Sequence, residues 1–277
     1  MESFWNGGWM LVPVAIALLY VFGVPQLVLS MRHRADLELD PIDDDVTLPE
    51  IMEDYLAKVS DGMSQIGFER CETWFIPQGD DEVTAIVRLF VNEREQDLAM
   101  ANTMYLAIAG DWRVQTQYIE FSTSYENGTD VDTGNDGTLG AFPTPPHKTV
   151  TMAPWFDEPS ELYEAHRKIC RMVAGQTRKQ WLLHSAFHGD AVALLAADCR
   201  QGYEDAEEAG YLSYCPQNTV SEGDVDAETK PGRELKNTLK GTYLMAWNMM
   251  WPFKQIITPL QLRRCRRRLE QAGVEVE

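Results

Sequence analysis

Trp9 to Ser30 reads WMLVPVAIALLYVFGVPQLVLS and contains no charged side chain. Such a run must be taken out of water, and its length suits a bilayer. As a helix rising about 1.5 Å per residue it reaches about 33 Å, enough for the hydrocarbon core of a membrane. Pro13 and Pro25 fall near its ends, where a missing backbone N–H costs least. Trp5 and Trp9 stand where interfacial anchors are found. A cleaved signal peptide fits less well, because MESFWNGG has no basic residue and VLSMRHR has no small-residue cleavage pattern. The expectation is one retained transmembrane helix over 9–30, behind a short flank at 1–8.

Arg32 and Arg34 follow this segment and nothing basic precedes it. The positive-inside rule then puts the N-terminus outside and the body in the cytoplasm. The layout is that of a bacterial-type, single-pass protein of the cell membrane, with the lipid bilayer as a partner. The formal net charge of -19 repels phosphate backbones, which argues against nucleic acid as another. The cysteines, Cys71, Cys170, Cys199, Cys215 and Cys265, are scattered without a CxxC pair, so they do not read as a disulfide framework.

Residues 31–46 are acidic and read as a tether. Thr47-x-x-Glu50 matches a capping box opening a helix, with Ile51, Tyr55, Val59, Met63 and Ile66 on its apolar face and Gly67 as its stop. From Val83 to Val91 the apolar period shortens to two, which predicts a strand. A polar turn at 92–97 leads to a second strand ending near Ile108, and a third runs from about 112 to 125. Its apolar phase slips between Tyr118 and Ile119, as at a β-bulge. Asn127-Gly128 predicts a type I′ hairpin turn. Weaker strands are expected near 129–133 and 148–152, then a helix opened by Pro159, striped by Leu162, His166, Ile169 and Val173 and ended by Gly175. Residues 47–175 are therefore expected to form an α+β domain, helix–antiparallel β-sheet–helix. A helix at 176–200 containing Gly189, an acidic mobile loop at 201–234 and a helical region at 235–277 complete the chain.

Residues 242–260 crowd Tyr243, Met245, Trp247, Met249, Met250 and Trp251 together, and Arg263, Arg264, Arg266, Arg267 and Arg268 follow. One reading is an amphipathic membrane-surface element, with the tryptophans at headgroup level and the arginines on anionic lipid. A second is another spanning helix, which Asn248, Pro252, Lys254, Gln255 and Pro259 oppose. If both segments spanned, the arginine count would place both termini inside and the body outside. The third reading is an aromatic helix packed on the body.

Chemistry is sparse. His184-x-x-x-His188, with Asp190 nearby, has the spacing that on a helix turns two imidazoles toward one metal, but lacks the glutamate of HExxH. His166 and Cys170 share the same spacing, where a thiol more often packs as a small hydrophobe. Asp130 to Gly137 carries three aspartates but misses the calcium-loop register. Glu120, Ser122, Thr123 and Ser124 make the third strand polar, as a half-exposed strand is. There is no G-x-S-x-G, no phosphate loop and no dinucleotide fingerprint. No catalytic residue and no cofactor are assigned. The expected function is a membrane-anchored, non-catalytic binding, sensing or scaffolding protein that meets another membrane or cytosolic protein or a small ligand. The alternatives are a metal-dependent hydrolase using His184, His188 and Asp190, and a lipid-surface protein acting through 242–268.

Overall fold

The computed structural model describes residues 12, 14–15, 18–34, 40–42, 48–77, 83–108, 111–138, 140–215 and 234–276. In chain order, a π-helical turn at Leu19–Gly23 runs into α1 (Val24–Ser30), followed by β1 (Arg32–Arg34), β2 (Asp40–Pro41) and α2 (Glu50–Gln65). Then come β3 (Glu69–Pro77), β4 (Val83–Asn92), β5 (Asp97–Ile108), β6 (Asp111–Ser124), β7 (Asp130–Gly134) and β8 (Lys148–Met152). The chain ends with α3 (Pro159–Ala174), α4 (Leu182–Ser185), α5 (Ala191–Glu208), β9 (Leu212–Tyr214), β10 (Glu234–Asn237), α6 (Leu239–Met249) and α7 (Phe253–Gln271). These elements fall into two units, one of residues 1–36, 139–143 and 199–257, the other of residues 37–138, 144–198 and 258–277.

The larger unit is an α+β layer structure built on a seven-stranded sheet in the order β2-β3-β4-β5-β6-β7-β8. Alternation along β4 and β6 sends Ile86, Phe90, Ile119 and Phe121 to one face, where Met52, Leu56, Val59 and Met63 of α2 and Leu162 and Ile169 of α3 meet them. All ten are nearly or fully buried, and each large side chain contributes about 1.5–3 kcal/mol by leaving water. Phe68, Phe121 and Tyr163 form a ring cluster with centroids 5.0–5.4 Å apart. Arg88 fastens α2 to the sheet by donating to Thr73 Oγ1, Leu56 O and Ser60 Oγ.

Several sequence expectations need correction in this unit. The sheet is not wholly antiparallel, since β7 and β8 run parallel from Asp130↔Lys148 to Gly134↔Met152. The connection over 135–147 is long enough for the crossover that such a pair requires. The bulge lies at Gln115, where Met104 pairs Thr116 and Tyr105 pairs Val114, rather than at 118–119. The turn after β6 is not type I′, because Gly128 alone has positive φ, +76°, and Asn127 instead accepts from Thr129 N. The buried stripe of α2 starts at Met52, leaving Ile51 57% exposed. Pro49 is the N-cap, and Thr47 lies outside the described residues. The helix expected over 176–200 is broken, as His188 (φ +53°) and Gly189 (φ +90°) turn the chain between α4 and α5. Past that break α5 continues to Glu208, so residues 201–208 are helix rather than loop, and 216–233 lie outside the description.

The smaller unit is held by a three-stranded antiparallel ladder, β1-β10-β9. α1 leads into β1 and β10 leads into α6, and α1 packs along α6. Pro25 has no N–H to offer Val21 O four residues before it, and Tyr243 Oη donates to that oxygen at 3.3 Å. Asn237 Nδ2 donates to Val28 O at 2.9 Å, near the end of α1. Thr238 caps α6, its hydroxyl accepting from Gly241 N at 3.1 Å. Gly241 lies so close to the chain that an added Cβ would stand 2.0 Å from Tyr211 O. Backbone must move to admit it, so Gly241→Ala is expected to cost about 2 kcal/mol. Thermal melts of the two proteins check this, and an unchanged midpoint would contradict it.

Among the described residues no helix is long and apolar enough to cross a membrane. Of the spanning helix expected over 9–30, residues 9–11, 13, 16 and 17 lie outside the description. The remainder contains the π-helical turn and the seven residues of α1.

Candidate functional site

β5 opens on Asp97, which is 1% exposed although it ends a hairpin. Its carboxylate accepts from Thr123 Oγ1 of β6 and, on the other oxygen, from Tyr163 Oη of α3 at 2.7 Å. Lys179, placed by the bridge Tyr125↔Lys179, completes an ion pair with it and donates to Glu95 O at 2.7 Å. Thr123 gives its only proton to Asp97, so its oxygen accepts from His166 Nε2 at 2.8 Å. Burial favours the neutral ring, and in that form His166 Nδ1 accepts from Thr133 Oγ1 at 3.1 Å. Burial pushes His166 down to about 4, the Asp97 charge opposing and the Lys179 charge adding to it. The His166–Cys170 spacing noted in sequence does bring Sγ to 3.4 Å from Nε2. Both are buried, and burial raises the thiol's pKa, so this pair supplies no thiolate nucleophile at neutral pH.

The opposite face of the sheet holds a second charged group. Lys148 of β8 pairs with Asp132 of β7 at 2.8 Å and with Asp198 of α5 at 3.6 Å. Ser122 of β6 donates to Asp132 at 2.6 Å, and Glu120 lies one alternate position along β6. Burial pulls Lys148 down, but Asp132 and Asp198 outweigh it and hold the ammonium above its usual range. Burial and the Asp132 carboxylate push Glu120 up to about 8, against the pull of Lys148. A carboxyl raised in the folded state favours folding below its unfolded pKa, and that contribution is lost as pH rises from about 4.5 toward 8. Glu120→Gln is therefore expected to raise stability by about 2 kcal/mol at pH 8 and to change little at pH 5. Urea unfolding at both pH values checks this, and a variant weaker at pH 8 would contradict it.

Two of the three calcium-like aspartates are engaged within the chain. Asp132 holds Lys148, and Asp136 Oδ1 accepts from Thr138 N at 2.9 Å. His184 lies on the four-residue α4 with Nε2 3.1 Å from Glu93, while His188 is in the turn beyond it. Asp190 Oδ1 accepts from Ala193 N at 2.9 Å at the start of α5. Among the described residues, no three His, Cys, Asp or Glu side chains are grouped to hold a metal. Replacing both His184 and His188 by Ala removes exposed contacts only, so the expected change in stability is within about 0.5 kcal/mol. A loss of several kcal/mol on urea unfolding would show that these side chains hold more than Glu93. A cleft of about 540 Å³ lies along α3, lined by Trp155, Phe156, Glu161, Glu164, Lys168 and Glu275. Its carboxylates face no activated serine, thiolate or histidine among those lining residues.

No protein-family model matches the chain, and neither a curated protein nor a solved structure matches it.

The smaller unit differs in kind. Leu18, Leu19, Phe22 and Leu27 before and within α1 are each more than half exposed. On α6 and the bend after it, Leu239 is 66% exposed, Trp247 50% and Trp251 59%. Large apolar side chains are thus exposed both along the stretch leading into α1 and along α6, the two helices packing on each other. Trp247 and Trp251, expected from sequence at a membrane surface, are among these exposed side chains. The arginines divide differently. Arg268 donates to Val150 O and Thr151 Oγ1, and Arg266 to Val276 O and Glu270, so both serve the larger unit. Arg263, Arg264 and Arg267 are exposed.

Proposed function

We propose that the chain is a membrane-anchored, non-catalytic binding or scaffolding protein. The anchor is the uncharged segment 9–30, and the α+β unit presents the binding surface in the cytoplasm. One observation supports the anchoring: large apolar side chains are exposed along the stretch leading into α1, which lies in the uncharged segment, and along α6, which packs on α1. A patch of that kind in water would drive aggregation, whereas lipid covers it. The non-catalytic part rests on chemistry. The histidine nearest a thiol is neutral and buried, and His184 meets a glutamate at the surface.

The test is a broad screen of hydrolase substrates, with and without divalent metals, on the full chain in detergent. No turnover above buffer is the expected result. Turnover abolished by His184→Ala with His188→Ala would replace this reading with the metal-dependent hydrolase.

A further inference from the structure

The cleft along α3 lies wholly within the larger unit, and three stretches of chain line it. Glu161, Ala165 and Lys168 recur at helical spacing on α3, so they share one face about 10 Å long. Trp155 and Phe156, half-buried, come from the turn between β8 and α3. Gly273, Val274 and Glu275 follow α7.

Each stretch is fastened. Phe156 N donates to Ala153 O, and Phe156 O accepts from Asn135 Nδ2, both at 3.2 Å. Val274 N donates to Leu269 O at 2.9 Å, and Arg266 donates to Val276 O at 2.6 Å. Lys168 Nζ donates to Gly273 O at 3.2 Å, which ties α3 to the stretch after α7. The cleft is therefore formed before any ligand arrives, and its volume of about 540 Å³ is that of a binding site.

Its chemistry selects a class of ligand. Lys168 lies 2.9 Å from Glu164, so that pair is satisfied within the chain. Glu161 and Glu275 are exposed, and among the described residues neither pairs with a cation. Two such carboxylates beside two aromatic rings suit an organic cation. The rings attract positive charge over their faces, and the carboxylates accept its hydrogen bonds. A guanidinium fits both, since it is planar, stacks on rings and offers a fork of donors. A bare metal ion would need grouped ligands, and the described residues hold no such group. The net charge of -19 adds a long-range pull on a basic segment.

We propose that this cleft binds an arginine-bearing segment of a partner protein, its guanidinium groups lying on Trp155 and Phe156 and donating to Glu161 and Glu275. The assignment rests on the binding role proposed above and names the chemistry of the partner.

The probe is a fluorescein-labelled Gly-Arg-Gly-Arg-Gly peptide, titrated with the full chain in detergent and followed by anisotropy. Salt is kept at about 0.15 M, where long-range attraction is screened. Glu161→Gln with Glu275→Gln is expected to weaken binding about tenfold or more. Glu72→Gln with Glu126→Gln removes the same charge from exposed positions outside the cleft and should change binding by less than about twofold. Trp155→Leu should weaken it more than Trp155→Phe, which keeps a ring. Circular dichroism checks the fold of each variant. Equal losses from the two glutamate pairs would mean general attraction to an acidic surface, and the site would be abandoned. N-acetylarginine amide binding as tightly as the peptide would make this a small-molecule site instead. Self-association of the native chain, lost in the cleft pair, would make the occupant a second copy; either result overturns the proposal. Turnover in the substrate screen is a separate failure, that of the non-catalytic reading, and leaves the peptide affinity where it is.

Discussion

Asp97→Ala is expected to destabilise the larger unit by about 4 kcal/mol, more than any other single substitution considered for it. The carboxylate is 1% exposed and holds three groups at once: the Lys179 ammonium, the Tyr163 hydroxyl and the Thr123 hydroxyl. Removing it leaves a cation beside a buried site and two hydroxyls without their acceptor, and buried groups left unpaired cost more than the bonds themselves supply. Asp97→Asn keeps one acceptor and the shape but loses the charge, so it should cost roughly half as much. Adding Lys179→Met to Asp97→Ala should recover part of the loss, since the stranded charge goes with it. Urea unfolding of the full chain in detergent, followed by near-ultraviolet circular dichroism, gives these differences. A cost for Asp97→Ala below about 1 kcal/mol would mean that the network is ornamental to folding.

Acid should weaken the same unit through His166. The ring is wholly buried and burial places it at about 4, below the ordinary value of 6.5. A group lowered in the folded state favours folding above its unfolded pKa. That contribution is lost as pH falls from about 6.5 toward 4, because the unfolded chain takes up a proton that the folded chain refuses. The full window corresponds to about 3 kcal/mol. His166→Gln should cost stability at pH 7, because the Thr123 and Thr133 bonds are altered, but its profile between pH 7 and pH 4 should lose this part of the slope. Parallel profiles for the two proteins would contradict the assignment. The basic limb has a different origin, since Glu120 acts with the opposite sign on the other face of the sheet.

What could be read in the sequence was whatever repeats locally. The two-residue alternation of Val83–Val91 and the polar turn at 92–97 are β4 and the β4–β5 hairpin. Leu162, His166 and Ile169 are the buried stripe of α3, with Pro159 opening it and Gly175 (φ +59°) following it. β3 escaped because its register shifts between Arg70 and Thr73, which breaks the alternation that would have marked it. β1, β9 and β10 escaped for another reason. They are three or four residues long, and β1 and β10 find each other some 200 positions apart. The parallel pairing of β7 with β8 likewise depends on topology rather than composition. The polar centre was hidden because Asp97 stands at a hairpin end and Lys179 between Arg178 and Gln180, both of which look like solvated positions. The His184–His188 spacing misled because it assumes a continuous helix, and the left-handed turn at His188–Gly189 removes that helix. The Trp- and Met-rich segment was conspicuous, but its partner α1 and its bend could be known only from the fold.

The measurement that bears most directly on the whole is the partition of the full chain in cells. Membranes from cells producing it are washed with alkaline carbonate, which strips peripheral proteins and leaves those with segments in the hydrocarbon core. The chain is expected to stay in the pellet and to be released only by detergent. Recovery in the carbonate supernatant, or in the soluble fraction before the wash, would contradict a membrane anchor at 9–30 and with it the proposed function.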